Sequence, residues 1–293
     1  MFKILQSFEL LRLRKVLKKE KTKFELFFII TSGRSGSTIL RKTLMEKYEV
    51  HIAPESEEFI IEAGRVYLKE YSWERRVKRI INVFENSGIN KLWGIDLKKV
   101  ESKILEFPLE DQTFTGIIKE FYKEQSIRAN NQSSIMGDKS PILSLKLKWL
   151  KIIYPKAKYI HLVRNGFDVA LSRMENFNED IDQAASRWIW AENEFFKNKK
   201  GLDYITVFYE DLVLNNQNEI ERVALFLGLN SRKQRKKIRL EDEILRHHKK
   251  IKLPLSKIVE NKTIKSDERI YLLNKFKKIK NREIINRYFK LNY

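Results

Sequence analysis

An arginine set among glycines and hydroxyls follows a strand-like apolar run, residues Phe24 to Leu40 reading F-E-L-F-F-I-I-T-S-G-R-S-G-S-T-I-L. That order makes a cradle for an anion. Gly33 and Gly36 can adopt positive φ and let the backbone approach a ligand closely, turning successive N–H groups toward one charge. A helix beginning near Thr38 brings its positive dipole end and its unsatisfied amides to the same point. Ser35, Ser37 and Thr38 add hydroxyl donors, and Arg34 adds a planar cation suited to phosphate or sulfate oxygens. A nucleotide is the first ligand this pattern suggests.

The loop lacks the Gly-Lys-Ser/Thr run that would reach the outer phosphates of ATP or GTP and hold magnesium. Arg-Ser-Gly-Ser-Thr stands there instead, which points to an anion bound without an obligatory metal. A second candidate anion site lies far along the chain. Arg164 follows another apolar run, and Ser172 comes two helical turns later, where the start of a helix could bring both to one anion. Arg164 alone reads equally well as a helix-capping or surface residue.

The elements that must position these residues alternate between strands and helices. The first strand and its helix (38–47) lead into a long, mostly helical middle from about 56 to 124, with apolar residues at three- and four-residue spacing. Lys158 to Val163 reads as a second buried strand and Tyr204 to Phe208 as a third, with a helix over 219–227 closed by Gly228. Strands separated by helices imply an α/β fold with a central parallel sheet and right-handed crossovers. Ligands then sit beyond the carboxyl ends of the strands, which is where Arg34 and Arg164 fall.

Composition bounds the rest. The 293 residues carry 59 Lys and Arg against 39 Asp and Glu, a net charge of +20, so the field of the molecule favours an anionic partner. From Ser231 to Tyr293 there are 21 basic and 7 acidic residues, so the tail holds most of the excess. No nucleic-acid-binding signature accompanies the charge, and a Lys-rich solvated surface explains it as readily as a binding role. No cysteine is present, which removes disulfides, thiolate metal sites and cysteine nucleophiles. No apolar run reaches the ~18–20 residues needed to span a bilayer. The N-terminus lacks a signal-peptide pattern. The chain therefore reads as soluble and cytoplasmic, with peripheral membrane contact left open. A basic segment over 1–23 precedes a single domain over 24–293, whose basic helical extension starts at about 231.

Two separated motifs in order resemble those of sulfotransferases that use 3′-phosphoadenosine 5′-phosphosulfate (PAPS). Thr31 to Leu40 is similar to the family's 5′-phosphosulfate loop. Ile160 to Arg173 is similar to its 3′-phosphate segment, with Arg164 and Ser172 at the two matching positions. Gly137-Asp138-Lys139-Ser140-Pro141 and Tyr209-Glu210-Asp211-Leu212 resemble elements of the bacterial and tyrosylprotein-type branch. The resemblance spans about 24–229. It implies a three-layer, P-loop-like sulfotransferase fold, PAPS as co-substrate with adenosine 3′,5′-bisphosphate as product, a hydroxylated acceptor and no catalytic metal. Gly33 to Thr38, Arg164, Ser172 and Tyr209 are then the donor-binding residues.

In-line sulfuryl transfer needs cations around the moving group and a base for the acceptor proton. The resemblance assigns Arg34 and Lys139 to the cationic role, although Lys139 also reads as a solvated residue before the turn at Pro141. By spacing from Arg34, Glu55 best matches the family's glutamate base. Glu57 and Glu58 stand as alternatives, and the whole cluster also reads as a helix start with Ser56 as N-cap. His51 is a weaker candidate and His161 reads as a core residue. Ser256, in Leu253-Pro254-Leu255-Ser256-Lys257-Ile258, resembles a serine that steadies the transferring group, or else caps a helix. The five tryptophans read as core. A carbohydrate or other hydroxylated metabolite is the favoured acceptor. A P-loop-related kinase and a non-catalytic basic anion-binding module are the competing readings.

Overall fold

A computed structural model describes residues 2–18, 20, 24–232 and 266–289. Five strands form one sheet in the order β2-β3-β1-β4-β5, every neighbouring pair parallel. They are β1 (Phe27–Ile30), β2 (His51–Ile52), β3 (Met136–Asp138), β4 (Lys158–Val163) and β5 (Asp203–Phe208). β1 and β4 are buried over most of their length, which explains their apolar runs, while the edge strand β5 is buried only at Val207 and Phe208. On β1 the alternation of side chains is plain: Phe28 and Ile30 join one apolar cluster, Phe27 and Ile29 another.

Helices cover both faces. α2 (Ser37–Lys47) and the helix Asn216–Leu227 close one side through Leu40, Leu44, Val223 and Leu227. The larger cluster on the other side takes in α1 (Phe2–Leu17), α3 (Phe59–Tyr67), α4 (Trp73–Glu85), α5 (Ile89–Trp93), α6 (Leu97–Leu105), α7 (Phe114–Arg128) and α8 (Leu147–Ile153). α1 lies within the expected N-terminal segment, yet Leu10, Leu13 and Leu17 are core residues. A third cluster joins α9 (Gly166–Phe177) and α10 (Ile181–Asn198) to two C-terminal helices, Ser266–Phe276 and Arg282–Phe289, through Trp188, Leu272, Phe276 and Ile284.

The three strands read from the sequence are β1, β4 and β5; β2 and β3 were not anticipated. Two and three residues are too few to display a period of two, and β3 reads Met-Gly-Asp. Its glycine is required by packing: a Cβ on Gly137 would lie 2.4 Å from a ring carbon of Phe27. The two short strands fill the sheet on the far side of β1 from β4. All five carboxyl ends therefore open on one edge, with β1 between Lys139 after β3 and Arg164 after β4. No described helix is long and apolar enough to cross a membrane.

Candidate active site

The loop between β1 and α2 is the floor of the site. Gly33, Arg34 and Gly36 take φ values of 83°, 55° and 86°, a run of left-handed residues that turns backbone amides to one side. Gly36 is irreplaceable there, since a Cβ would approach the Tyr209 ring to 2.3 Å. Ser37 and Thr38 open α2, where no preceding helical carbonyl can accept from their amides. Ser35 is turned inward: its hydroxyl donates to the Gly33 carbonyl at 3.1 Å and lies 3.2 Å from Ser32 Oγ, so it braces the loop.

Arg34 and Arg164, 130 positions apart, meet over this loop. Arg164 donates through one terminal nitrogen to the Arg34 carbonyl at 3.0 Å and through the other to Asp168 at 3.2 Å. Its guanidinium lies 4.5 Å above the Tyr209 ring. Its Nε is buried and without a hydrogen-bond partner among the described residues. Arg34 Nε donates to Ser172 Oγ at 3.0 Å. The helix start expected after Arg164 is real, but Asn165 makes the cap, its side chain accepting from the Phe167 amide. Glu210 links the strand ends by accepting from the Asn165 amide at 3.0 Å.

Arg173 is a further cation that the sequence reading quoted only as the end of a motif. It approaches Gly33, forms a two-pronged pair with Glu179 and lies 5.1 Å over Phe177. Arg34 faces the same ring at 5.8 Å. Burial, then the positive charges of Arg164 and Arg173, lowers the Arg34 pKa, as like charges gathered in a half-buried place must.

The third corner is built from β3 and the segment after β2. Lys139 is fully buried, against the solvated alternative, and its ammonium donates to Glu55 Oε1 at 2.6 Å. Burial lowers the Lys139 pKa, with Glu55 opposing the shift. Glu55 is held on both sides along the chain. Trp93 Nε1 donates to the Glu55 carbonyl at 3.2 Å, and the Ser56 amide donates to Ser140 Oγ at 2.7 Å. Ser56 is thus a buried support and not a helix cap; α3 starts at Phe59 with Glu58 before it. Beneath lies Asp138, wholly buried, accepting from Tyr122, its pKa raised to about 6 by burial.

Glu55, Glu57 and Glu58 all line a cavity of about 400 Å³ that also contains Ser140, Pro141, Arg173 and Trp190. Glu58 is paired with Lys146 at 3.2 Å, while Glu55 alone of the three meets Lys139. His51 is buried on β2 beside Asn131, away from this cavity, and His161 pairs with Glu192 at 2.9 Å beneath the Phe195 ring, as a core residue should. Ser256 lies outside the described residues. One expectation fails outright: Trp93, Trp149 and Trp188 are core, but Trp190 is 56% exposed at the cavity wall.

The sequence of residues 27–233, more than two thirds of the chain, matches the profile of the sulfotransferase family. The chain belongs to that family. The chain is 22% identical over 236 residues to protein-tyrosine sulfotransferase A of Caenorhabditis elegans, a match covering 76% of this chain and 53% of that one. It therefore spans about half the length of that relative. Among solved structures it is similar to the sulfotransferase domain of the Synechococcus olefin synthase, with 20% identity, a TM-score of 0.49 and coverage of 87% and 90% of the two chains. The sulfotransferase domain from the curacin biosynthetic pathway gives 19% identity and a TM-score of 0.48, covering 91% and 98%.

Proposed function

We propose that this sulfotransferase moves a sulfuryl group from PAPS to an acceptor hydroxyl, with Glu55 as the base. The contact between Arg34 and the Arg164–Ser172 segment carries the reading. It joins two candidate anion-binding elements at one sheet edge, as a single nucleotide with phosphates at both its 3′ and 5′ positions would use them. The unpartnered, buried Nε of Arg164 fits the same donor. Arg164 and Ser172 would hold the 3′-phosphate, and the amides of Gly33 to Thr38 with Arg34 would hold the phosphosulfate.

In the transfer the acceptor oxygen forms a bond to sulfur as the bond from sulfur to the bridging phosphate oxygen breaks. The acceptor proton passes to Glu55, and adenosine 3′,5′-bisphosphate leaves with the electron pair. Lys139 and Arg34 offset the charge that grows on the bridging oxygen, in a setting where burial strengthens each interaction. Lys139 already orients one Glu55 oxygen, leaving the other for the proton. Incubating the chain with sulfur-labelled PAPS, a chelator and a panel of hydroxylated acceptors tests this reading. Labelled acceptor should form without metal; absence of any labelled acceptor, beside magnesium-dependent phosphorylation when ATP replaces PAPS, would reject it.

A further inference from the structure

Trp190 stands out because α10 otherwise separates its faces cleanly. Ala184, Ala185, Trp188, Glu192 and Phe195 are buried on one side. Positions 183, 186, 187 and 190, at helical spacing, share the other. A tryptophan exposed by 56% costs solubility and gains nothing in the core. Among the described residues, no aromatic ring or cation is stacked on its indole.

Two recesses meet at this residue. One is the 400 Å³ cavity holding Glu55. The other, about 570 Å³, runs along the exposed face of α10 past Gln183, Ser186 and Glu179. Arg187 and Trp190 line both, so the two form one trough with the indole between its halves. Each half lies in the size range of sites for small organic ligands.

We infer that Trp190 is the platform for a saccharide acceptor at least two rings long. One ring lies in the inner half with a hydroxyl toward Glu55, and the next packs its C–H face on the indole and reaches Gln183, Ser186 and Arg187. This inference rests on the sulfotransferase reading above. The lining favours a polyhydroxylated, uncharged chain. Gln183, Ser186 and Ser144 offer both donors and acceptors, and an indole provides a large flat apolar surface with one polar edge. An acidic peptide gains no net attraction along the trough, where Lys139, Lys146, Arg173 and Arg187 are matched by Glu55, Glu57, Glu58 and Glu179 and three of those carboxylates are already paired. A lipid would need a continuous apolar wall, which these side chains interrupt.

The test is calorimetry on the full chain saturated with adenosine 3′,5′-bisphosphate. The probes are glucose, its α- and β-linked tetrasaccharides, an N-acetylglucosamine tetrasaccharide and a tyrosine-containing acidic peptide. At least one tetrasaccharide should bind ten or more times tighter than glucose. Trp190→Ala should weaken it at least tenfold and Trp190→Phe by less, with nucleotide affinity unchanged in both. Nucleotide binding without any saccharide binding, an unchanged affinity in Trp190→Ala, or capture of the peptide alone would overturn the saccharide platform and leave the donor site standing. Failure of the wild-type chain to bind the bisphosphate would instead overturn the sulfotransferase reading on which it rests.

Discussion

At the scale of single residues, the site depends on groups whose partners are incomplete. Arg164 spends two of its three nitrogens on Arg34 and Asp168, and its buried Nε has no partner among the described residues. A charge-assisted hydrogen bond contributes ~1.5–3 kcal/mol, so Arg164→Ala should weaken adenosine 3′,5′-bisphosphate by roughly 10- to 100-fold. Adenosine 5′-phosphate, titrated in parallel, should lose far less. Glu55 differs from its acidic neighbours through its 2.6 Å contact with Lys139. Glu55→Gln should lower turnover by about 10²–10⁴-fold, the usual worth of a positioned base, and leave nucleotide binding intact. Glu57→Gln should keep most of the activity; the reverse order in a rate assay would move the base to Glu57. That the donor loop and the segment after β4 would meet at one sheet edge was legible in the sequence, because loops after strands announce themselves through glycine and hydroxyl composition. Trp190 was not, since an isolated tryptophan within an amphipathic helix carries no mark of which face it occupies.

At the scale of elements, the strand-to-helix turns do the positioning, and their sequence constraints are steric. Gly36 holds φ +86° directly against the Tyr209 ring. Gly36→Ala combines backbone strain with a collision at the end of β5, so thermal unfolding should report a loss of ~1–3 kcal/mol and calorimetry a loss of nucleotide binding. A variant that keeps both would show that the loop and Tyr209 are not packed as described. β1 and β4 were readable because burial on both faces demands apolar runs, and the edge strand β5 because Tyr, Ile, Thr, Val and Phe are strand formers. The short strands β2 and β3 were hidden because neighbouring strands, not their own composition, recruit them: His51 pairs with Met136, and Phe27 with Gly137. Missing β3 also hid the reason Lys139 is buried, since a residue following a central strand enters the edge of the core.

At the scale of the whole molecule, the sheet gathers five strand ends into one cationic edge while its interior stores groups that resist acid. His51 is buried on β2 near Arg41, and burial lowers its pKa to about 3 from an ordinary 6.5. The unfolded chain therefore takes up a proton that the folded chain refuses. The stability this gives is present above pH 6.5 and is lost as pH falls from 6.5 toward 3. Asp138, raised to about 6, acts in the opposite sense between about pH 4 and 6 and offsets part of that loss. His51→Gln should flatten the acid limb of a stability-against-pH curve; a limb of unchanged slope would contradict the assignment. One edge of this sheet is proposed to hold a nucleotide phosphorylated at both 3′ and 5′ positions. Calorimetric titration of adenosine 3′,5′-bisphosphate against adenosine 5′-phosphate and ATP, in magnesium-free buffer, tests it most directly. The bisphosphate should bind tightly and in dependence on its 3′-phosphate; equal affinity for the two adenosine phosphates, or preference for ATP once magnesium is added, would refute the proposed site.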